Sequence, residues 1–156
     1  LCNRSADLPN VVAIKYSTER ANYKRLTELA GHHIHVRNPS EEDWLDNIIE
    51  LGWKLYLCST PPFLLQSAVD QRINDYTRLA FAGKFEQARE LRDSLAPARQ
   101  AFKASKPHGK PQAHAKYWQE LLGQHGGPVR RPLIGLTPGE QAQTRAAFAA
   151  SGLRSA

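Results

Sequence analysis

The hydrophobic positions of the first 60 residues change period in a regular order. VVAIKYS, which follows Pro9-Asn10, predicts a strand with both faces buried, as in a parallel sheet. ERANYKRLTELAG has apolar residues at helical spacing and ends at a glycine. IHVRN predicts a second strand, SEEDWLDNIIELG a second helix with a capping-box-like start at Ser40 and Asp43, and WKLYLCS a third strand. This alternation is typical of right-handed parallel βαβ units.

The pattern changes after Thr60, where no further segment alternates like a strand. Pro61-Pro62 begins a helical stretch that we expect to run to about residue 82. KFEQARELRDSLAPARQAF predicts one further helix, and QAHAKYWQELLG and EQAQTRAAFAASG predict two more, separated by polar or irregular connectors. The chain therefore divides into βα units at 1–60, a helix at 61–82 and an all-helical region at 83–156.

Composition is that of an ordinary globular domain. The 156 residues are 41% hydrophobic, no run approaches the length of a membrane span, and the first residues lack the pattern of a secretory signal, so we expect a cytoplasmic protein with no membrane partner. Cys2 and Cys58 form no spacing motif, and free thiols are favoured over a bridge. The formal charge of +6 is spread along amphipathic helices without interleaved aromatic residues, which favours a solvated basic face over a nucleic-acid site.

Three parallel strands do not make a sheet of ordinary size, because their edges and one face would remain open. A (β/α)8 barrel completes such a sheet, and barrel enzymes carry their catalytic groups at the carboxyl ends of the strands. Lys15 lies at such an end. It is the unexpected charge in an otherwise apolar strand.

The strand with this lysine resembles a known motif. LPNVVAIKYST is similar to the Schiff-base lysine strand of the dihydrodipicolinate synthase and N-acetylneuraminate lyase family, L-P-N-I-V-G-I-K followed by an acidic residue, any residue, and Ser or Thr. Weaker matches follow in the same order: Leu51-Gly52 before the last barrel strand, FAGKFEQARELRDSLAP, a lone Lys116, and GGPVRRPLIGLTPGE near the end. The resemblance covers essentially the whole chain. It implies the carboxyl half of a TIM barrel, strands six to eight, plus the C-terminal helices.

The same resemblance implies that the amino half is missing. In the family that half carries the Thr-Thr or Ser-Thr loop that binds the keto-acid carboxylate and the tyrosine that relays protons. We therefore expect this sequence to be a fragment, or the rest of the barrel to be a separate polypeptide.

Lys15 is the candidate catalytic residue. A lysine in water is protonated at neutral pH, but burial favours the neutral amine, which attacks a keto carbon and forms an iminium. Strand alternation puts Val11, Ala13 and Ser17 on the side of Lys15, so Ser17 either binds substrate or caps the next helix, whereas Tyr16 points away. Considered without the resemblance, Lys15 could instead be a non-catalytic lysine that extends to the solvent at the rim of the barrel. The resemblance favours catalysis.

Two further positions are expected to border the substrate. Asn38 replaces a glycine common in the family at the end of the second strand, and Tyr56 occupies the position whose main chain lies beside bound keto acid. Lys54 and Leu57 replace the usual Gly and Ser, which disfavours dihydrodipicolinate synthesis itself.

Metal and cofactor chemistry are not expected. His33 and His35 have a spacing that suits zinc, but no third ligand is apparent and a Schiff-base mechanism needs none, so we interpret them as structural and expect no metal and no cofactor.

The sequence thus favours a homo-oligomeric class I lyase, a dimer or tetramer, that acts on pyruvate or a related 2-keto acid. A catabolic aldolase, hydratase-aldolase or dehydratase is preferred over a 4-hydroxy-tetrahydrodipicolinate synthase. The alternative hypothesis is a protein that is not an enzyme: a non-catalytic half-barrel that takes part in protein association or contacts an acidic partner.

Overall fold

The computed structural model describes residues 8–38, 40–55 and 64–155. Two compact units make up the chain, Leu1–Pro61 and Pro62–Ala156. The first contains β1 (Ala13–Lys15), α1 (Arg20–Ala30), β2 (His35–Arg37) and α2 (Trp44–Leu51). The second contains α3 (Arg72–Phe81), α4 (Phe85–Asp93), α5 (Ala96–Ala104), α6 (Pro111–Leu121) and α7 (Pro138–Ala150). In the described part of the chain, no helix is long and apolar enough to span a membrane.

The two strands of the first unit pair in parallel, as the sequence predicts. Ala13 is the register partner of His35, and Lys15 is that of Arg37. Val36 is 1% exposed on the strand face that α1 packs against. The core of this unit consists of aromatic and aliphatic side chains from α1, β2, α2 and the segments that follow α1 and α2: Tyr23, Ala30, Ile34, Val36, Trp44, Leu45, Ile48 and Trp53.

Burial on both faces of β1 is a wrong prediction for this structure. Val11 and Val12 are exposed, Val12 at 68%, and Ala13 and Ile14 are only partly buried. The reason is that β1 pairs only with β2 among the described residues, so little chain covers its other side. In the predicted third strand, residues 53–55 are not in a strand, and residues 56–59 lie outside the described ranges.

The capping box predicted at Ser40 and Asp43 is also wrong. The helix begins at Trp44, and Asp43 as its N-cap makes no side-chain hydrogen bond to the helix. The Ser40 amide instead donates to Asn38 Oδ1 at 2.6 Å, which stabilises a turn before the helix. A capping box does form at α7, where Thr137 and Glu140 exchange both hydrogen bonds.

The predicted helix over 61–82 is shorter in the structure, because residues 64–71 are not α-helical and α3 begins only at Arg72. The amides of Val69 and Asp70 both donate to Ser67 Oγ, which satisfies in a turn the backbone groups that a helix would otherwise pair.

The single helix predicted from residue 84 is in fact two helices. α4 ends at Asp93 and α5 begins at Ala96, with Pro97 in the first turn of α5. Proline has no amide hydrogen and crowds the carbonyl four residues earlier, so it interrupts a helix but fits its first turn.

Trp118 lies at the centre of the second unit and is fully buried. Its indole N–H donates to the Leu64 carbonyl at 2.8 Å, and its ring meets Phe102 and Phe148 edge-on, with centroids 5.1 and 5.2 Å away. Leu64 and Leu122 complete this cluster. The tryptophan therefore ties the segment before α3 to α5, α6 and α7.

Candidate active site at the carboxyl ends of the strands

Lys15 is the last residue of β1, and its register partner Arg37 is the last residue of β2. Because strand residues alternate between faces, Lys15, Arg37, Ala13 and His35 share one face of the sheet. The structure therefore places the candidate lysine at the carboxyl edge of a parallel pair, as expected. The shielding expected around it is not supplied by the described residues, since Lys15 is exposed.

Ser17 and Asn38 follow the same ends of β1 and β2, so the structure brings them to the edge that carries Lys15. Ser17 is exposed, and it does not cap α1, because the N-cap of that helix is Glu19 and no side chain caps it. Asn38 is 6% exposed, and its side-chain oxygen is engaged by the Ser40 amide. Tyr56 lies outside the described residues.

Arg37 is the prominent group at this edge that the sequence analysis did not single out. It is 4% exposed, and burial lowers the pKa of its guanidinium. Nη1 donates to the Val36 carbonyl, Nη2 lies 3.2 Å from His35 Nδ1, and Cζ lies 5.1 Å from the centre of the Trp53 ring. Nε has no hydrogen-bond partner within the described ranges. The sequence signal that was available is the arginine of IHVRN, which strand pairing places on the same face of the sheet as Lys15.

The histidines of the first unit belong to no cluster of potential metal ligands among the described residues. His33 lies in the turn before β2, and its ring is tilted by 48° against that of His32, with ring centroids 4.0 Å apart. His35 lies in β2 beside Arg37. No group of three potential metal-binding side chains is present among the residues that the structure describes.

Comparison with known proteins gives consistent sequence relatives, although no family model matches the chain. The 4-hydroxy-tetrahydrodipicolinate synthase of Neisseria gonorrhoeae is 29% identical over 153 residues, which are 96% of this chain and 48% of that protein. The enzyme of the same name from Halorhodospira halophila is also 29% identical, with 96% and 47% covered.

Solved structures agree in fold. Dihydrodipicolinate synthase from Thermotoga maritima matches with a TM-score of 0.71 at 21% identity and covers 97% of this chain and 49% of its own. N-acetylneuraminate lyase from Aliivibrio salmonicida matches with a TM-score of 0.71 at 16% identity, with 97% and 47% covered. This chain is similar in sequence to 4-hydroxy-tetrahydrodipicolinate synthases and in fold to dihydrodipicolinate synthase and N-acetylneuraminate lyase.

The chain spans about half the length of the curated relatives that it matches. Its structural neighbours are TIM-barrel proteins, and the parallel β1–β2 pair with its helices is consistent with part of such a barrel.

Proposed function

We propose that this chain is the carboxyl part, strands six to eight and the C-terminal helices, of a Schiff-base-forming class I lyase. Its substrate is pyruvate or a related 2-keto acid, which reacts with Lys15. The observation that carries this proposal is the position of Lys15 at the carboxyl end of β1, in a chain whose relatives are synthases and lyases of one family.

The proposed chemistry begins with the neutral amine. Nζ of Lys15 attacks the keto carbon, the carbonyl oxygen leaves as water after protonation, and an iminium remains. In a carbon–carbon cleavage, the hydroxyl group on the departing carbon loses its proton and becomes an aldehyde, and the iminium accepts the electron pair of the broken bond to form an enamine. In a dehydration, the iminium accepts the electron pair of a neighbouring C–H bond whose proton is removed, and the enamine then expels the hydroxyl group as water after its protonation. Because an exposed ammonium favours the charged form, the reaction requires the other strands of the barrel to shield Lys15.

The remaining site residues are assigned to substrate binding. Ser17 and Asn38 lie just after the carboxyl ends of β1 and β2. Tyr56 comes directly after Lys54 and Leu55 in the amino-acid sequence. We favour an aldolase, hydratase-aldolase or dehydratase over 4-hydroxy-tetrahydrodipicolinate synthesis, because Lys54 and Leu57 change the size and polarity of the proposed pocket. A cytoplasmic homo-oligomer, dimer or tetramer, is the proposed state.

Borohydride reduction tests the lysine assignment. The full-length protein is incubated with pyruvate and borohydride, and peptides are analysed by mass spectrometry. We expect a stable adduct on Lys15, its loss in Lys15→Met, and its retention in Lys24→Met, which removes an exposed lysine of α1. An unmodified Lys15 under saturating pyruvate would contradict the proposal.

A non-catalytic role in association is the second candidate. It is supported by the exposed apolar side chains of Leu8, Val11 and Val12 at the start of the sheet. Sedimentation distinguishes this role, since an association module forms a complex without modification of Lys15 by any keto acid.

A further inference from the structure

Arg37 is a buried cation with no counter-charge among the described residues. Its side chain is 4% exposed, and across residues 8–38, 40–55 and 64–155 no carboxylate lies within salt-bridge distance of it. Its polar neighbours are the Val36 carbonyl and the His35 ring, neither of which carries negative charge. A buried charge is costly unless an opposite charge or several hydrogen bonds compensate it. The site is therefore electrostatically suited to an anion.

A second donor beside Arg37 also lacks an acceptor. Trp53 is 3% exposed, and its ring lies under the guanidinium. Within the described ranges, neither Nε of Arg37 nor Nε1 of Trp53 has a hydrogen-bond partner. Two adjacent buried N–H groups without acceptors are unusual, because buried donors are nearly always paired. A carboxylate, with two oxygens and a negative charge, is the group that satisfies both.

These donors lie beside the candidate lysine. Parallel strands are about 4.8 Å apart, so the register places the backbones of Arg37 and Lys15 next to each other, with both side chains on one face. His35 shares this face, is exposed, and lies 3.2 Å from Nη2 of Arg37. The exposed His35 is therefore the polar neighbour of the guanidinium on the face that also carries Lys15.

We propose that Arg37 and Trp53 bind a carboxylate of the substrate, and that the 2-keto acid which condenses with Lys15 carries a second carboxylate. This inference rests on the function proposed above. The guanidinium folds back onto the Val36 carbonyl and so lies near the level of the sheet. The keto carbon bonds to the Lys15 amine, which lies at the end of a four-methylene side chain, so the carboxylate next to the keto carbon stays close to that amine. The group that reaches Arg37 is therefore the distal carboxylate.

Comparison of a keto monoacid with a keto diacid tests the proposal. Borohydride adducts on Lys15 of the full-length protein are measured over a range of concentrations of pyruvate and of 2-oxoglutarate. We expect 2-oxoglutarate to reach half-saturation at a concentration at least about 10-fold lower than pyruvate. Arg37→Met should reduce that preference by about 10-fold or more, since a charge-assisted hydrogen bond is lost. The control Arg25→Met removes an exposed arginine of α1 and should leave both half-saturation values unchanged.

Two further measurements keep the test decisive. Succinate, which has no keto group, should inhibit the trapping of pyruvate in the unmodified protein and do so more weakly in Arg37→Met. Arg37→Lys keeps the positive charge but loses the Nε–H donor and the planar guanidinium, so its preference for 2-oxoglutarate over pyruvate should be intermediate. If Arg37→Met does not fold, the Arg37→Lys variant provides the test.

Failure of this inference is distinct from failure of the function. If pyruvate modifies Lys15 but 2-oxoglutarate is not preferred, or if Arg37→Met weakens both acids equally, the second-carboxylate proposal is wrong and the lyase proposal stands. If neither acid modifies Lys15, both are wrong.

Discussion

Protonation of His114 should selectively destabilise the second unit in mild acid. His114 lies on α6 and is fully buried. Its Nε2 is 2.9 Å from Ser105 Oγ, its ring packs against Phe102 and Trp118, and its Nδ1 has no partner among the described residues. Burial, with a smaller contribution from the positive charge of Lys106, lowers the pKa of His114 to about 4.

The magnitude follows from linkage between protonation and folding. The unfolded chain binds a proton on this histidine near pH 6.5, whereas the folded unit does so only near pH 4, so stability falls as the pH drops through this window. Between pH 7.5 and pH 5 the loss is about 2 kcal/mol, or about 30-fold in the opening equilibrium, at about 1.4 kcal/mol per tenfold. Below about pH 4 this group contributes no further change.

Hydrogen exchange of peptides from α6 measures this effect in the second unit. After correction for the intrinsic pH dependence of exchange, the free energy of opening should fall by about 2 kcal/mol from pH 7.5 to pH 5 in the unmodified protein. His114→Gln replaces the ring with an amide that still forms hydrogen bonds but is not protonated in this pH range, so most of this pH dependence should disappear. His108→Gln, in the exposed loop after α5, is the matched control and should retain it.

A pH dependence that persists unchanged in His114→Gln would refute the reasoning. It would mean that the buried ring accepts a proton without cost, and that other groups cause the acid sensitivity. Loss of the pH dependence in His108→Gln would contradict it equally, because His108 is exposed in a loop and lies outside the buried cluster around His114.

Two other substitutions test the packing of the same unit by urea unfolding. Asp70→Asn should lower the free energy of unfolding by about 3 kcal/mol, because the fully buried Asp70 carboxylate is the counter-charge of Arg72. Asp75→Asn, in an exposed ion pair, should cost less than about 1 kcal/mol, and equal costs for the two substitutions would contradict this reasoning. Gly126→Ala should lower the free energy of unfolding by about 2 kcal/mol, because the added Cβ would lie 2.0 Å from the Lys116 carbonyl oxygen. The control Gly135→Ala adds a Cβ with nothing within 4 Å and should be nearly neutral. A neutral Gly126→Ala would contradict this reasoning, because the backbone would then relax around the close contact without cost.

Local periodicity was enough to predict the order of β1, α1, β2 and α2 and the parallel pairing of β1 and β2, but not the third strand, of which residues 53–55 form no strand. It worked because α1 and α2 bury one face each, so their apolar residues recur at helical spacing. It also placed Lys15 at a strand end. The importance of Arg37 escaped prediction, since nothing in IHVRN reveals that its guanidinium would be buried over the Trp53 ring with no carboxylate partner in the described part of the chain.

The helix predicted over residues 64–71 does not form for a different reason, which is a set of contacts with residues that are distant in the sequence. Asp70 accepts two hydrogen bonds from Arg72, at 2.9 and 2.8 Å, and one from the Arg154 amide, and Ser67 donates to the Arg154 carbonyl. Burial acts to raise the pKa of Asp70, but the hydrogen bonds from Arg72 and Arg154 outweigh it and hold the pKa below its usual range. The carboxylate therefore stays charged, and partners 84 residues away stabilise a turn where local periodicity predicts a helix.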